Sequence, residues 1–441
     1  MAIGRVRVHP GALGGRLGVP GDKSISHRSL LIGALAGGAS VNGLAPSGDV
    51  LSTAQALRGL GMDVTLTADE RGMLGGTITG LLRTSEHALD CGNSGTGMRL
   101  LAGICAGLPG TSTLVGDHSL STRPMGRVAT PLRLMGATVE TTNAGTPPIV
   151  ITGGALHAVH YDSPVASAQV KSCVLLAAVA SQVTASVRSP LPSRDHTERM
   201  LRSLGVRVDT EIDGDGRETV TVHPGPLQSS PTIAVPGDPS SAAFWLVAGA
   251  LGEHEVIVDG VVASATRLGV LAILEQMGAD VELGEVQDVG GEPVGRVRGS
   301  PGKVAGGAVV SGRAVVDAID ELPILALAGA LSLEGLEVRD AQELRAKESD
   351  RITATARSLG ALGITVEERP DGYLVRGGQR PGPGTVHAGG DHRIAMTAAI
   401  AATLGTGPVE IDGFESVATS YPTFLADLTR LGGVHEVLDG N

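Results

Sequence analysis

The chain has 441 residues, a formal net charge of −12 at pH 7, 42% hydrophobic residues and 2% aromatic residues. At roughly 100–200 residues per domain, this length predicts two to four domains, and the apolar content predicts a packed core rather than disorder. The scarcity of aromatic rings and the acidic balance exclude a protein that stacks single-stranded nucleic acid or binds extended polyanions.

The apolar segments and the cysteines indicate the compartment in which the protein works. No apolar run reaches the ~18 residues that a bilayer span needs, and the N-terminal segment lacks an apolar signal region. Cys91, Cys105 and Cys173 are an odd number without a C-x-x-C pair, which argues against a disulfide framework or a thiolate zinc site. We therefore expect a cytoplasmic protein with no nucleic-acid or membrane partner.

The lysines are few. Lysine and arginine together number 34, and only four of these residues are lysine: Lys23, Lys171, Lys303 and Lys347. A lysine ammonium is a movable point charge, whereas an arginine guanidinium is a planar fork with a very high pKa. Lys23 and Lys347 therefore indicate positions where a guanidinium does not serve, whereas Lys303 lies outside the motifs described below.

A pattern, L-x-x-[LM]-G-x-x-[VH], recurs six times along the chain. Each copy predicts the end of a helix, a left-handed glycine stop and the start of a strand. The copies are Leu57–Val64, Leu132–Val139, Leu201–Val208, Leu274–Val281, Leu359–Val366 and Leu428–His435. Successive glycines are 75, 69, 73, 85 and 69 residues apart, so the chain is built from six similar units.

An apolar helix rich in Ala and Gly precedes each copy, and a short β-branched strand follows that helix. Helices that are apolar all round are buried, so the pattern predicts closely packed helices in an α/β fold. The motif Val-Pro-Gly-Asp occurs twice, with its glycines at Gly21 and Gly237, 216 residues or three units apart. This spacing indicates two equivalent halves of three units each.

Cationic residues cluster where the apolar helices begin. Helix starts carry unsatisfied N–H groups that favour anions, and arginine binds carboxylate or phosphate in a two-pronged way. The cations are Lys23, Arg28, Arg99, Arg123, Lys171, Arg194, Lys347, Arg351 and Arg393. Asp320, Glu321 and Glu348 flank them and are candidates for proton transfer, although helix capping and simple ion pairing explain single residues equally well.

The sequence does not contain the motifs of nucleotide-binding or metal-binding proteins. The segment GDKS lacks the spacing of a nucleotide-binding phosphate loop, and CGNSGTG lacks the context of a dinucleotide-binding turn. His157 and His160 have no evident third ligand, so no metal site is expected.

Eight motifs in order, from residue 20 to residue 396, resemble the 5-enolpyruvylshikimate-3-phosphate synthases, a family of enolpyruvyl transferases. They are PGDKSISHR, GNSGTGMR, GDHSLSTRPMGR, SAQVKS, SRDHTERML, DELPILALA, AKESDRI and GDHRIAM. The resemblance implies a two-domain inside-out α/β barrel with six βαβαββ units, three per domain. The domains would be residues 19–235, and residues 1–18 with 236–441, with the active site in the cleft between them.

The family resemblance also implies the reaction. The enolpyruvyl group of phosphoenolpyruvate moves to the 5-hydroxyl of shikimate 3-phosphate, and phosphate is released by addition and elimination, without metal or cofactor. The product leads to chorismate and the aromatic amino acids, and the enzyme is the target of glyphosate. The protein is expected to act as a monomer.

Residue roles follow from the same resemblance. The catalytic residues would be Asp320 as base on the 5-hydroxyl, Glu348 as proton donor to the methylene carbon, and Lys23. Substrate would be bound by Lys23, Ser24, Arg28, Asn93, Gly95, Arg123, Ser167, Gln169, Arg194, Asp320, Lys347, Arg351 and Arg393. Of these, Arg351 and Arg393 would hold the carboxylate of phosphoenolpyruvate.

Several positions depart from the best-known branch of the family. Ala168 replaces a second serine, Arg194 lies where that branch has an aromatic-containing segment, and Thr419 replaces a lysine. Arg194 and Thr419 resemble a second branch of the family, which includes glyphosate-tolerant members. Those members carry alanine at the position of Gly95, so Gly95 is expected to leave room for glyphosate. Thr419 is expected to weaken the binding site.

Two alternatives stay open at this stage. One is a UDP-N-acetylglucosamine enolpyruvyl transferase, although His118 lies where its loop cysteine would be. The other is a non-catalytic anion-binding module on the same scaffold, against which the retained Asp320, Lys347 and Glu348 argue.

Overall fold

A computed structural model describes residues 3–438 and divides the chain into two compact units. Unit C runs to Pro20 and includes Pro236–Gln287 and the chain from Pro293, and unit N is Gly21–Val235 with Asp288–Glu292. Across the described residues, none of the helices has the length and apolar character that crossing a bilayer requires.

The chain begins in unit C with β1 (Arg5–Val8) and β2 (Gly15–Gly18). It then forms unit N from α1 (Lys23–Leu35), β3 (Gly38–Leu44), α2 (Gly48–Gly59), β4 (Met62–Ala68), β5 (Leu74–Gly80), β6 (Leu89–Asp90), α3 (Gly95–Gly107), β7 (Gly110–Val115), α4 (Gly126–Leu134), β8 (Thr138–Glu140), β9 (Ile149–Gly153), β10 (Val159–Asp162), α5 (Ala168–Ser181), β11 (Ala185–Ser189), α6 (His196–Ser203), β12 (Val208–Ile212), β13 (Glu218–Val222) and β14 (Thr232–Ala234).

Unit C continues after the second Val-Pro-Gly-Asp turn. Its elements are α7 (Pro239–Leu251), β15 (Val256–Val262), α8 (Gly269–Gln276), β16 (Asp280–Leu283), β17 (Gln287–Val289), β18 (Glu292–Ser300), β19 (Gly307–Val310), α9 (Arg313–Ala318), α10 (Leu322–Leu331), β20 (Gly335–Val338), α11 (Arg351–Gly360), β21 (Val366–Arg369), β22 (Gly372–Arg376), β23 (Gly384–His387), α12 (His392–Leu404), β24 (Val409–Asp412), α13 (Phe424–Arg430) and β25 (His435–Val437).

Six sheets, three in each unit, follow one pattern. Unit N has the strand orders β14-β3-β5-β4, β6-β7-β9-β8 and β10-β11-β13-β12. Unit C has β2-β15-β18-β16 with β17 against β18, then β19-β20-β22-β21 and β23-β24-β1-β25. In each of these four-strand orders the first two strands are parallel, as β6 and β7 are, and the other neighbouring strands are antiparallel.

This pattern confirms the six predicted βαβαββ units. Because the apolar helices are buried and the strands alternate buried and exposed residues, the helices lie inside and the sheets outside. The six repeat glycines all adopt left-handed φ angles, from 82° to 103°, which a residue with a Cβ adopts only with strain.

The units differ from the predicted domains at two places. Val19 and Pro20, expected in the domain of residues 19–235, belong to unit C, and Asp288–Glu292, expected in the domain of residues 236–441, belongs to unit N. The Glu292 carboxylate lies 2.8 Å from His196 Nδ1 of α6, and both side chains are buried. This buried contact explains why residues 288–292 pack with unit N. No local sequence pattern indicates it, because the two residues are 96 positions apart.

The helices α3 and α5 are parallel and nearly in contact along their length. Thr96 hydrogen bonds with Gln169 where both helices begin, at 2.9 Å, and Gly107 lies close to Ala180 where both end. Between them, a Cβ added to Gly103 would lie 2.2 Å from the carbonyl oxygen of Cys173. Only a residue without a side chain allows this approach of two backbones.

Replacement of Gly103 by alanine is therefore expected to destabilise the protein by about 1–3 kcal/mol or more, because the new methyl group would push the two helix backbones apart. The matched control is Gly126→Ala at the start of α4, where no atom lies within 4 Å of the added Cβ. Urea unfolding followed by circular dichroism measures both. Equal midpoints for the two variants would contradict the close packing described here.

Candidate active site

The starts of the buried helices in unit N meet around one histidine. His27 of α1 lies with Nδ1 2.8 Å from Thr53 Oγ1 of α2 and with Nε2 3.3 Å from Ser94 Oγ. Ser94 is the N-cap of α3 and accepts a hydrogen bond from the backbone N–H of Gly97. His27 therefore fixes the start of α3 relative to α1 and α2.

Two guanidinium groups flank the first residue of α3. Arg99 donates to Gln169 Oε1 at 2.7 Å and to the carbonyl of Pro124 at 3.1 Å. Arg123 donates to the side chain and, at 3.2 Å, to the backbone carbonyl of Asn93. A Cβ on Gly95 would lie 3.0 Å from Arg99 Nη1 and 3.3 Å from Arg123 Nη1. The structure thus brings the predicted residues Asn93, Gly95, Arg123 and Gln169 together.

Lys23 and Arg28 lie on the first turns of α1 but have different surroundings. Lys23 Nζ lies 3.0 Å from Asp49 Oδ2, and its side chain keeps 18% of its exposure. Arg28 is buried and donates to the Ser24 carbonyl, Thr197 and Ser172 at 2.7–2.9 Å. Burial lowers the pKa of Arg28 to about 10. Arg28 therefore also holds α1 to α5 and α6, beyond the substrate contact that the sequence predicts.

Three predicted residues of unit N remain, each at or near the start of a different helix. Ser167 is the N-cap of α5 and accepts from the backbone N–H of Val170. Ser24 is partly exposed on the first turn of α1, and Arg194 is partly exposed in the loop that leads into α6.

Unit C assembles a second cluster around Arg351. Its Nη1 lies 3.0 Å from Asp320 Oδ1, its Nη2 2.6 Å from Glu348 Oε2 and its Nε 2.9 Å from Asp391 Oδ2. Lys347 Nζ approaches the same Asp320 oxygen at 3.1 Å. Burial alone would lower the pKa of Arg351, but the three carboxylates outweigh burial and raise it. The predicted residues Lys347, Glu348 and Arg351 thus share one ionic network with Asp320, which lies 27 positions before Lys347 and 31 before Arg351.

Arg393 is attached to this network through Asp391. The buried Asp391 carboxylate accepts from Ser349 Oγ at 2.8 Å and from the backbone N–H of Arg393 at 2.9 Å. The Arg393 side chain is also buried, and its Nε has no hydrogen-bond partner within residues 3–438. A buried guanidinium N–H without a partner favours binding of an anion.

Three of these participants have no role that the sequence predicts. Asp49 and Asp391 are acidic residues near helix starts, where capping is the ordinary explanation, and Arg99 is one of several cations at such starts. The signal available for Asp391 was its position in GDHR, next to a predicted substrate residue. That it would orient Arg351, 40 residues away, depends on the fold.

The three cysteines are buried in unit N. Burial raises the pKa of all three thiols, that of Cys105 to about 12, so they stay protonated and unreactive at neutral pH. Cys173 packs in α5, as the sequence predicts. Thr419, the other noted departure, donates to the Ser416 carbonyl and lies 3.3 Å from His392 Nδ1 at the start of α12.

The burial of His27 has a measurable consequence. Burial, followed by the charges of Lys23 and Arg28, lowers the pKa of His27 to about 3, whereas the ordinary value is 6.5. As pH falls from about 6.5 toward 3, the unfolded chain takes up a proton that the folded chain does not. His27 therefore weakens the fold by about 1.4 kcal/mol per pH unit across this window.

His27→Asn, which cannot be protonated, is expected to remove this part of the pH dependence. The urea midpoint of the variant should fall less steeply than that of the parent between pH 6 and pH 4. His254→Asn, at an exposed position, is the control and should keep the parent slope. A parent slope in the His27 variant would show that His27 is not held neutral.

Comparisons with known proteins agree with this arrangement. Residues 8–428 match the family model for EPSP synthase (3-phosphoshikimate 1-carboxyvinyltransferase). A 3-phosphoshikimate 1-carboxyvinyltransferase of Synechococcus sp. is 43% identical over 423 residues, 95% of this chain and 94% of that protein. One of Gloeobacter violaceus is 44% identical over 425 residues, 95% of this chain and 96% of that protein.

A solved structure of EPSP synthase from Acinetobacter baumannii superposes with a TM-score of 0.85. It is 41% identical in sequence, and the match covers 99% of this chain and 100% of that chain. The likeness supports the inside-out barrel architecture as well as the family. The chain therefore belongs to the EPSP synthase (3-phosphoshikimate 1-carboxyvinyltransferase) family.

Proposed function

We propose that this chain transfers the enolpyruvyl group of phosphoenolpyruvate to the 5-hydroxyl of shikimate 3-phosphate and releases phosphate. This places it in the shikimate pathway, which supplies chorismate and the aromatic amino acids. Family membership over nearly the whole chain supports the reaction. Within the structure, the observation that carries it is Asp320, a carboxylate held by two cations, Lys347 and Arg351.

The cations match the charge of the substrates. Both substrates are polyanions, and a chain of net charge −12 must gather positive charge locally to bind them. We assign shikimate 3-phosphate to Lys23, Ser24, Arg28, Ser167, Gln169, Arg194, Asp320 and Lys347. Phosphoenolpyruvate is assigned to Lys23, Asn93, Gly95, Arg123, Arg351 and Arg393.

We expect Arg351 to exchange a partner when phosphoenolpyruvate binds. All three of its nitrogens already contact carboxylates, and we infer that the carboxylate of the substrate takes the place of one of them. Asp391 is fully buried and the Glu348 side chain is 21% exposed, which makes Glu348 the group that leaves. A carboxylate that loses its cation binds a proton more readily, so this exchange prepares Glu348 as an acid.

The chemistry then needs two groups with opposite tasks. Glu348 delivers a proton to the methylene carbon, which places cationic character on the neighbouring carbon. The 5-hydroxyl attacks that carbon and Asp320 takes its proton, so a new C–O bond forms. Glu348 then takes a proton back from the methyl group, the C–O bond to phosphate breaks and the double bond returns. The placement of both substrates in one orientation removes much of the entropic cost.

Two points stay predictions from the sequence, namely the monomeric state and the cytoplasmic location. The alternative of a UDP-N-acetylglucosamine enolpyruvyl transferase is disfavoured because its loop cysteine has no counterpart. Cys91, Cys105 and Cys173 are instead buried.

Phosphate release tests the proposal directly. The parent chain should release phosphate from phosphoenolpyruvate with shikimate 3-phosphate and not with UDP-N-acetylglucosamine. Asp320→Asn and Glu348→Gln should each lower kcat by about 10²–10⁴-fold, because each removes a proton-transfer group. Glu367→Gln, on the exposed side of β21, is the control and should keep the parent rate.

Release with the nucleotide sugar instead would favour the alternative transferase. Binding of shikimate 3-phosphate without any phosphate release would favour a non-catalytic anion-binding module. Either result would contradict the proposed function.

Gly95 should govern the response to glyphosate. The methyl group in Gly95→Ala would lie beside Arg99 and Arg123 and would crowd an inhibitor longer than phosphoenolpyruvate. We expect the ratio of the glyphosate inhibition constant to the KM for phosphoenolpyruvate to rise by at least ~10-fold, about 1.4 kcal/mol of selective loss. Inhibition kinetics on this variant and on Gly126→Ala measure it. The same ratio in both variants would refute the steric explanation.

A further inference from the structure

A buried ion cluster lies behind the predicted substrate residues of unit N. Lys171 of α5 is fully buried, and its Nζ lies 2.6 Å from Glu198 Oε1 of α6 and 2.7 Å from Glu218 Oε2 of β13. Its Nζ also lies 3.5 Å from the backbone carbonyl of Ser193. The ammonium group of Lys171 therefore connects α5 with α6, with the loop before α6 and with β13.

Lys171 is the cation that contacts both buried glutamates of this cluster. Glu198 and Glu218 supply two negative charges, and the Lys171 ammonium lies 2.6 Å from the first carboxylate and 2.7 Å from the second. The three side chains are at most 6% exposed, so water screens these charges little. Without Lys171, the two carboxylates would lose the cation that they share. The charge of the cluster would then be more negative by one unit.

The same cluster adjoins three residues assigned to shikimate 3-phosphate. Ser167 caps α5 one turn before Lys171, and the Lys171 backbone N–H donates to the Ser167 carbonyl at 3.1 Å. Gln169 lies two positions before Lys171. Ser193, whose carbonyl faces the ammonium, directly precedes Arg194. A shift in the cluster would therefore move these three side chains together.

We propose that Lys171 is a positioning residue for shikimate 3-phosphate, an inference that rests on the proposed function. It holds the loop of residues 190–195 against α5, and it cancels the negative charge of Glu198 and Glu218. The first effect keeps the loop in place for the substrate. The second favours a substrate with a phosphate and a carboxylate, because an uncompensated Glu198 or Glu218 near the site would repel these anionic groups. Lys171 does not itself contact the substrate, since its side chain is fully enclosed.

Binding of shikimate 3-phosphate to Lys171→Met tests this inference. Calorimetry should show a Kd at least ~10-fold weaker than that of the parent, because a buried charge loses its partner. Steady-state assays should show the same rise in KM for shikimate 3-phosphate with a much smaller change in kcat. Lys303→Met, at an exposed position in unit C, is the matched control and should keep the parent Kd.

Rescue by a second change separates charge from general damage. Lys171→Met with Glu218→Gln removes one charge of each sign, so its Kd should return to within about threefold of the parent value. Glu218→Gln alone retains the ammonium and should bind as tightly as the parent or more tightly. This single variant tests the charge argument even if Lys171→Met does not fold.

The possible failures are distinct. A folded Lys171→Met variant with the parent Kd would overturn the positioning role, and so would a Glu218→Gln variant that binds as weakly as Lys171→Met. A double variant no better than Lys171→Met would also overturn it. A parent chain that binds no shikimate 3-phosphate would overturn the proposed function, and this inference with it.

Discussion

The close parallel packing of buried helices is the constraint on which the site depends. In unit N, α3 and α5 approach until a glycine on one faces a backbone carbonyl on the other, at Gly103 and Cys173. In unit C, Ser240 hydrogen bonds with Glu321 where α7 and α10 begin, and Gly252 lies close to Leu404 where α7 and α12 end. Because the helices are parallel, their positively polarised starts gather at one end of each unit. Side chains at the helix starts of one unit therefore lie close together without long loops to carry them.

An acidic chain then places its cations next to carboxylates. Lys23 pairs with Asp49, Lys171 with two glutamates, and Arg351 with three acidic side chains. A buried cation without such partners would cost several kcal/mol, so pairing keeps the charges in place before the substrate arrives. In the cluster around Arg351, we propose that the same pairing is part of the reaction, because the substrate carboxylate displaces one of the partners. The pairing of Lys171 with Glu198 and Glu218 is fully enclosed, so it supports the site and no substrate group replaces a partner.

Much of the fold could be predicted from the sequence because its signals are local. Each repeat glycine, such as Gly61 or Gly432, needs a left-handed φ angle, and each apolar helix is recognisable by its composition. The gathering of Asp320, Lys347, Glu348 and Arg351 came from the family resemblance. The roles of Asp391 in orienting Arg351 and of Lys171 between two glutamates could not be predicted. These contacts join residues 27 to 47 positions apart through the packing of different elements, which no periodicity records.

In the proposed function, the gathered helix starts of each unit bind substrate. Hydrogen–deuterium exchange of the parent chain, followed by mass spectrometry, would detect this binding. With shikimate 3-phosphate, we predict slower exchange in the peptides that carry the starts of α1 and α5. With phosphoenolpyruvate added, we predict slower exchange also at the starts of α3, α11 and α12. Unchanged exchange at the helix starts of either unit, with both substrates at saturating concentration, would contradict the account.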